Sequence, residues 1–157
     1  NTKNAETRMD EYIDLINHSR SKMLVFQLPS HPEVDWTNSH CINYMYKRYN
    51  VRGSQKCQIE QSSQIISGII MMRKHEFTLK FCDEWLYAAQ ADQGKLFSEH
   101  YSKRGEKHRH DQSCLSLIYK MHQGDLIVPD ETWFGSRSGF GSDVSLNYPI
   151  WATRLKR

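Results

Sequence analysis

The ten residues Gln64 to Arg73, Q-I-I-S-G-I-I-M-M-R, constrain the fold more than any other stretch of the chain. In an extended segment successive side chains point to opposite sides, so Ile65, Ile66, Ile69, Ile70, Met71 and Met72 place apolar groups on both faces. A strand with one wet face would alternate apolar and polar residues instead. The run is far shorter than the roughly 20 apolar residues of a membrane helix. Its length fits a central strand covered on both sides, and the rest of the chain must supply the cover.

The flanking segments are suited to that. Met9, Tyr12, Ile13 and Ile16 recur at i, i+3, i+4 and i+7, which predicts an amphipathic helix from Ala5 to His18. Lys22 to Leu28 (K-M-L-V-F-Q-L) is a short β-prone run closed by Pro29 and Pro32. Thr37 is placed to cap a second helix, in which Ile42, Met45, Tyr46 and Tyr49 keep the spacing until Gly53 ends it. A polar connection then leads to the Gln64 strand. Phe77, Phe81, Trp85 and Ala88 make the stripe of a third helix that should pack on that strand. Ala91 to Lys107 is polar, charged and aperiodic, a long loop with a turn at Gly94. Cys114, Leu115, Ile118 and Met121 mark a fourth helix ended by Gly124, and Asp125 to Val128 is a short strand stopped by Pro129. Gly135 to Ser142, rich in glycine and serine, reads as a loop. Strands alternating with helices imply an α/β fold, a mixed or largely parallel sheet flanked by helices. At 157 residues, with no repeat and no linker, the chain is expected to be one domain spanning 1–157.

Charge and cysteine usage narrow the partners. The net charge is only +3, but Lys103, Arg104, Lys107 and Arg109 crowd one segment, and Arg154, Lys156 and Arg157 end the chain. This is weaker than the basic stripe of a nucleic-acid binder, so phosphate on a small ligand is the preferred reading and nucleic acid held by the 103–110 loop the weaker one. Tyr44, Tyr46 and Tyr49 have helical spacing, which speaks against a base-stacking platform. Cys41, Cys57, Cys82 and Cys114 form no C-x-x-C pair and read as reduced, individually buried thiols, with a Cys41–Cys57 bridge as the open alternative. With no membrane span and no signal-peptide pattern, the chain is expected to be soluble, in a reducing compartment such as the cytoplasm.

The chemistry-bearing stretch is E-K-H-R-H-D-Q-S-C-L-S-L, Glu106 to Leu117. His108, His110, Asp111 and the upstream His100 are ligand types that zinc uses, yet no second cluster offers the partners of a closed site. Asp111 directly precedes an apolar helical pattern and reads as its N-cap. A carboxylate fixed there also suits a general base or a hydroxyl-binding group, and His108 and Arg109 beside the helix end could meet an anion. Gln64, Ser67 and Gly68 interrupt the apolar strand, which means either a satisfied buried hydrogen bond or close approach of a ligand.

The pattern His108-Arg109-His110-Asp111-Gln112-Ser113 ahead of an apolar helix resembles the C-terminal H-R-x-D-Q-S motif of a group of bacterial and viral glycosyltransferases with the GT-A, nucleotide-diphospho-sugar transferase fold. The upstream order is similar too: an E-x-x-W-T element at Glu33 to Thr37, a Q-x-x-x-G strand at Gln64 to Gly68, and a helix carrying Trp85. The resemblance spans residues 5 to 130. Such enzymes carry nucleotide-binding strands and a D-x-D metal motif ahead of this region, and no D-x-D occurs here. The chain is therefore expected to be the C-terminal part of a longer enzyme lacking its N-terminal nucleotide-binding part, or a shortened relative.

The resemblance implies transfer of a sugar from a nucleoside diphosphate sugar to a hydroxyl acceptor, such as a glycan, with Mn²⁺ or Mg²⁺ on the diphosphate. It implies Asp111 as base or sugar-hydroxyl binder, His108, Arg109 and Gln112 near the donor, Gln64 and Gly68 lining the donor pocket, and Trp36 on the acceptor side. The alternative from another class is a non-catalytic module of the same fold that binds a carbohydrate or an anion.

Overall fold

The computed structural model describes residues 4–99, 107–132 and 147–151. At its centre lies a three-stranded mixed sheet of order β2-β1-β3, formed by β1 (Met23–Pro32), β2 (Ser63–Met72) and β3 (Ile127–Pro129). β1 and β2 are antiparallel, Met23 facing Met72 and Val25 facing Ile70; β1 and β3 are parallel, Val25 facing Ile127. The α/β class and the mixed sheet flanked by helices follow the expectation from sequence.

The place of the Gln64 run does not. β1 is the central strand, with Met23 to Phe26 wholly buried, and β2 is an edge in which Gln64 and Ile65 alone are buried. The apolar character of both β2 faces has another origin: each face of the sheet carries its own core. Ile65 and Ile70 pack with residues of α3 (Ser39–Arg48), α5 (Glu76–Gln90) and α6 (His110–Met121), among them Met45, Phe81, Leu115 and Ile118. Ile66, Ile69 and Met71 lie against a second cluster made by Tyr12, Ile16, Leu24, Phe26 and Val128.

The β1–β2 ladder is interrupted twice, between Val25 and Gln27 and between Gln27 and Pro32. β1 consequently runs on through Pro29 to Pro32 rather than stopping at Leu28, because a proline loses no hydrogen bond where the ladder is already broken. On β2 the first interruption falls between Ile65 and Ile70, the stretch that contains Gly68.

The helix α1 (Ala5–His18) forms where its stripe predicts, capped by Asn4, whose Oδ1 accepts from the Thr7 N–H at 2.8 Å. It buries Tyr12 and Ile16 and leaves Ile13 exposed. A single turn, α2 (Glu33–Trp36), follows β1 directly. The cap of α3 is Asn38 rather than Thr37: the Asn38 Oδ1 accepts from the Cys41 N–H at 2.8 Å, while the Thr37 hydroxyl is taken by Glu33. The polar connection contains a helix, α4 (Ser54–Gln61), which buries only Ile59 and so shows no stripe. α5 opens on a His75–Thr78 capping box and buries Phe81 and Ala88.

Ala91–Phe97 is a short 3-10 stretch in which Asp92, Gln93 and Gly94 have positive φ. Residues 100–106, with His100, Lys103 and Arg104, lie outside the described residues, as do the 135–142 loop and the basic tail 154–157. α6 begins at His110, so Asp111 stands inside its first turn and is not the cap. Arg109 holds the cap position with no side-chain cap bond, since a guanidinium carries no acceptor, and its own N–H donates to the Ser113 hydroxyl, 3.0 Å away.

All four cysteines are free thiols: Cys41 and Cys114 are buried with their Sγ atoms 3.6 Å apart, whereas Cys57 and Cys82 are exposed, against the expectation of burial. Among the described residues no helix is long and apolar enough to cross a membrane.

Candidate functional site

The site is built around a buried acid. Glu33 opens α2 where the chain leaves β1 and is 0% exposed. A carboxylate out of water is tolerated only with charge and hydrogen-bond partners. The Thr37 hydroxyl, one turn on, donates to its Oε2 at 2.6 Å, and Lys120 Nζ, from the last turn of α6, donates to its Oε1 at 2.6 Å. The Ser116 hydroxyl also donates to Oε1, and accepts from the Ile65 N–H at 2.8 Å. Lys120 donates in addition to the Ser63 carbonyl at 2.9 Å. Burial lowers the Lys120 pKa, with Glu33 acting in the opposite sense.

A second layer of hydrogen bonds lies beside this pair. The Gln64 amide nitrogen is 3.1 to 3.2 Å from the Trp36 carbonyl, the Thr37 hydroxyl and the Ser113 hydroxyl, three acceptors for two protons. Gln64 Oε1 accepts from Gln112 Nε2 at 2.6 Å, and Gln112 Oε1 faces the Ser67 N–H at 3.4 Å. The Ser113 hydroxyl donates to the Trp36 carbonyl at 3.1 Å. Gln64 thus has the satisfied buried hydrogen bonds that one of the two readings asks for, whereas at Ser67 the bond is made by the backbone N–H. Gly68, next along the strand, is exposed, and a Cβ there would meet only Ile66 Cγ2 at 4.0 Å, so no packing demands glycine.

The outer edge of this network is aromatic and cationic. The Trp36 ring is half-buried, with the Arg109 guanidinium carbon and Lys107 Nζ each 4.2 Å from its centroid. The His31 ring lies 4.1 Å from it, centroid to centroid. Cations over an indole are held by the ring quadrupole. His31 Nδ1 is buried with no hydrogen-bond partner among the described residues. Burial, then the charges of Arg109 and Lys107, lower the His31 pKa.

The remaining candidates are placed differently. His108 is 6% exposed and both ring nitrogens meet backbone: Nδ1 accepts from the Asn38 N–H at 3.3 Å, which puts the proton on Nε2, 2.9 Å from the Leu96 carbonyl. It clasps the start of α3 to the 3-10 stretch and fixes the approach to Arg109. Asp111 is exposed, and among the described residues its carboxylate makes no hydrogen bond; its carbonyl accepts from Trp85 Nε1 at 3.3 Å. His110 is bound through Nδ1 to the Phe97 carbonyl at 2.7 Å and lies 3.3 Å from Glu99.

Sequence reasoning named Trp36, Gln64, Arg109 and Gln112, and the fold brings these four together. It missed Lys120 and Ser116, whose signal is legible afterwards: Ser113, Ser116 and Lys120 recur at i, i+3 and i+7, a polar stripe on a helix that is otherwise apolar. It also missed His31, which stands between two prolines with no pattern to mark it. Among the described residues no group of three His, Cys, Asp or Glu could hold the divalent ion that the resemblance implies. Compared with models of protein families, with curated proteins and with solved structures, the chain matches none.

Proposed function

We propose that the chain is part of a glycosyltransferase domain that moves a sugar from a nucleoside diphosphate sugar to a hydroxyl acceptor. One observation carries this reading: the four sequence elements that resemble such enzymes, though scattered over about eighty residues, meet at one place. Trp36 and Thr37 of the first touch Gln64 of the second and Ser113 of the third, and Trp85 of the fourth bonds the Asp111 carbonyl. Independent coincidences in the sequence would have no reason to converge in space.

In transfer, the bond from the sugar's anomeric carbon to the diphosphate oxygen breaks, and a bond to the acceptor oxygen forms. Negative charge grows on the leaving diphosphate, which Arg109 of the motif would meet. The acceptor hydroxyl gives up its proton; Asp111 is the exposed carboxylate of the motif and takes the role of base if the configuration inverts. Gln112, anchored on Gln64, would hold a sugar hydroxyl. Trp36 offers an indole edge to the acceptor side.

One observation favours the non-catalytic reading: the Asp111 carboxylate is not oriented by any hydrogen bond among the described residues. The test separates the two. With the longest natural form of the protein, nucleoside diphosphate sugars are screened with Mn²⁺ or Mg²⁺ for a rise in melting temperature and for release of nucleoside diphosphate. For the matching donor Asp111→Asn should lower turnover by about 100-fold or more while changing donor affinity only a few-fold. Binding without release by the wild type supports the module, and no shift with any donor sinks the enzyme reading.

A further inference from the structure

We propose that Cys41 and Cys114 form a site of reversible thiol oxidation, at which the two close to a disulfide that ties α3 to α6. The inference does not depend on sugar transfer.

Position singles out this pair. Cys57 and Cys82 are exposed, whereas Cys41 and Cys114 are both 0% exposed and, although 73 positions apart in the chain, have their Sγ atoms 3.6 Å apart. A disulfide holds its sulfurs at about 2.0 Å, so the two have to close by about 1.6 Å in all, shared between two side chains. Both cysteines start from fixed backbones. The Cys41 N–H donates to the Asn38 cap of α3 at 2.8 Å, and the Asn38 N–H donates to His108 Nδ1 at 3.3 Å. Cys114 follows Ser113 on α6, the helix whose Ser113 and Ser116 hydroxyls belong to the buried network.

The hydrogen bonds around the sulfurs tolerate the loss of both thiol protons. The Cys114 S–H donates to the Leu96 carbonyl at 3.5 Å, which leaves its sulfur to accept from the Cys41 S–H. That bond first, and burial second, push the Cys41 pKa up, so Cys41 rests as a neutral thiol. Oxidation removes both S–H donors, yet the Leu96 carbonyl keeps the His108 Nε2–H at 2.9 Å and no oxygen acceptor is stranded.

The oxidant is a low-molecular-weight disulfide. One cysteine loses its proton to solvent and its sulfur attacks the oxidant; the S–S bond of the oxidant breaks and one small thiolate leaves. The other cysteine, deprotonated in turn, attacks the mixed disulfide, forms the Cys41–Cys114 bond and expels the second small thiolate. Both thiolates take up the released protons, so the protein loses two electrons and two protons and the oxidant becomes two thiols. The cover has to open for this, and the stretch over Cys114, Ala91–Phe97, is where the backbone is strained, with the non-glycine residues Asp92 and Gln93 at φ of 48° and 59°.

The test uses the full chain carrying Cys57→Ser and Cys82→Ser, incubated without denaturant with glutathione disulfide as the probe. Acid quenching, alkylation in urea and mass spectrometry should show both remaining thiols lost to alkylation and a linked Cys41–Cys114 peptide. The melting temperature should rise by about 5–15 °C and return to its starting value after dithiothreitol. Cys114→Ala should abolish the rise; the reversal by dithiothreitol reads the same point without a core substitution. The same incubation of the natural chain should give the same linked peptide beside modified Cys57 and Cys82. Thiols that stay alkylatable in the folded chain, a link that forms only in urea, or a link that lowers the melting temperature would each overturn the proposal and leave two packed thiols.

Discussion

At the scale of single residues, the molecule depends on how charges are kept out of water. Lys120 and Glu33 form a buried pair, 9% and 0% exposed at their side chains, with Thr37 and Ser116 as further donors. Removing one partner strands the other, and Lys120→Met should cost about 3–5 kcal/mol in urea unfolding. Glu33→Gln combined with Lys120→Met should cost clearly less than the sum of the two single changes, because neither charge is then left alone. Additive losses would mean that the two do not act as a pair. Asp125 is a different case. Burial acts to raise its pKa, but hydrogen bonds from the Ser21 hydroxyl and from the Arg20 and Ser21 N–H groups outweigh it and hold the carboxyl well below its ordinary range. A carboxyl depressed in the folded state stabilises above its unfolded value of about 4 and loses that contribution as pH falls further. The group is largely exposed, so the gain is screened to about 1 kcal/mol or less. Asp125→Asn should therefore melt below the wild type at pH 7, and the two melting curves should converge towards pH 2.

Secondary-structure elements differ in how plainly the sequence announces them. α1 was legible to its ends, because Met9, Tyr12 and Ile16 repeat on one stripe and a good cap precedes it. α4 was not, because a helix that buries a single residue needs no stripe. The boundary at Pro29 was missed for a subtler reason: proline forbids a ladder bond, and this strand makes none there. Asp111 has the residue type that favours a cap, yet the Ser113 hydroxyl accepts from the Arg109 N–H and the helix starts two residues earlier than a cap at Asp111 would place it. The true cap of α3 gives a direct check. Asn38→Ala removes the bond to the Cys41 N–H, and a loss of about 1–2 kcal/mol is expected by denaturant titration, against a few tenths for Thr37→Ser, which keeps its hydroxyl. Gly124 offers another. A Cβ there would overlap the Tyr119 ring, whose hydroxyl bonds the Met23 and Leu126 carbonyls. Gly124→Ala should cost about 1–3 kcal/mol, and Tyr119→Phe combined with it should not restore the loss, since the ring itself is in the way.

For the whole molecule, strand order was the part hidden from the sequence. Pairing partners such as Val25 and Ile70 are distant in the chain, and nothing local says which apolar run takes two neighbours. The convergence of the candidate site was half legible: Trp36, Gln64, Arg109 and Gln112 each carry a sequence signal, but the acid beneath them was visible only once β1, α2 and α6 were packed together. Amide exchange should mirror this arrangement, with Leu24 to Phe26 protected longest and the interrupted stretch Ile66 to Ile69 exchanging earlier. The buried acid also has a consequence for the order in which the chain is made. Glu33 leaves the ribosome more than eighty residues before Lys120, the cation that allows it to stay out of water. Until α6 emerges, Glu33 has neither Lys120 nor Ser116 to meet it, so the buried network cannot form before that helix. The helix that carries the motif thus also completes the charge pair beneath it.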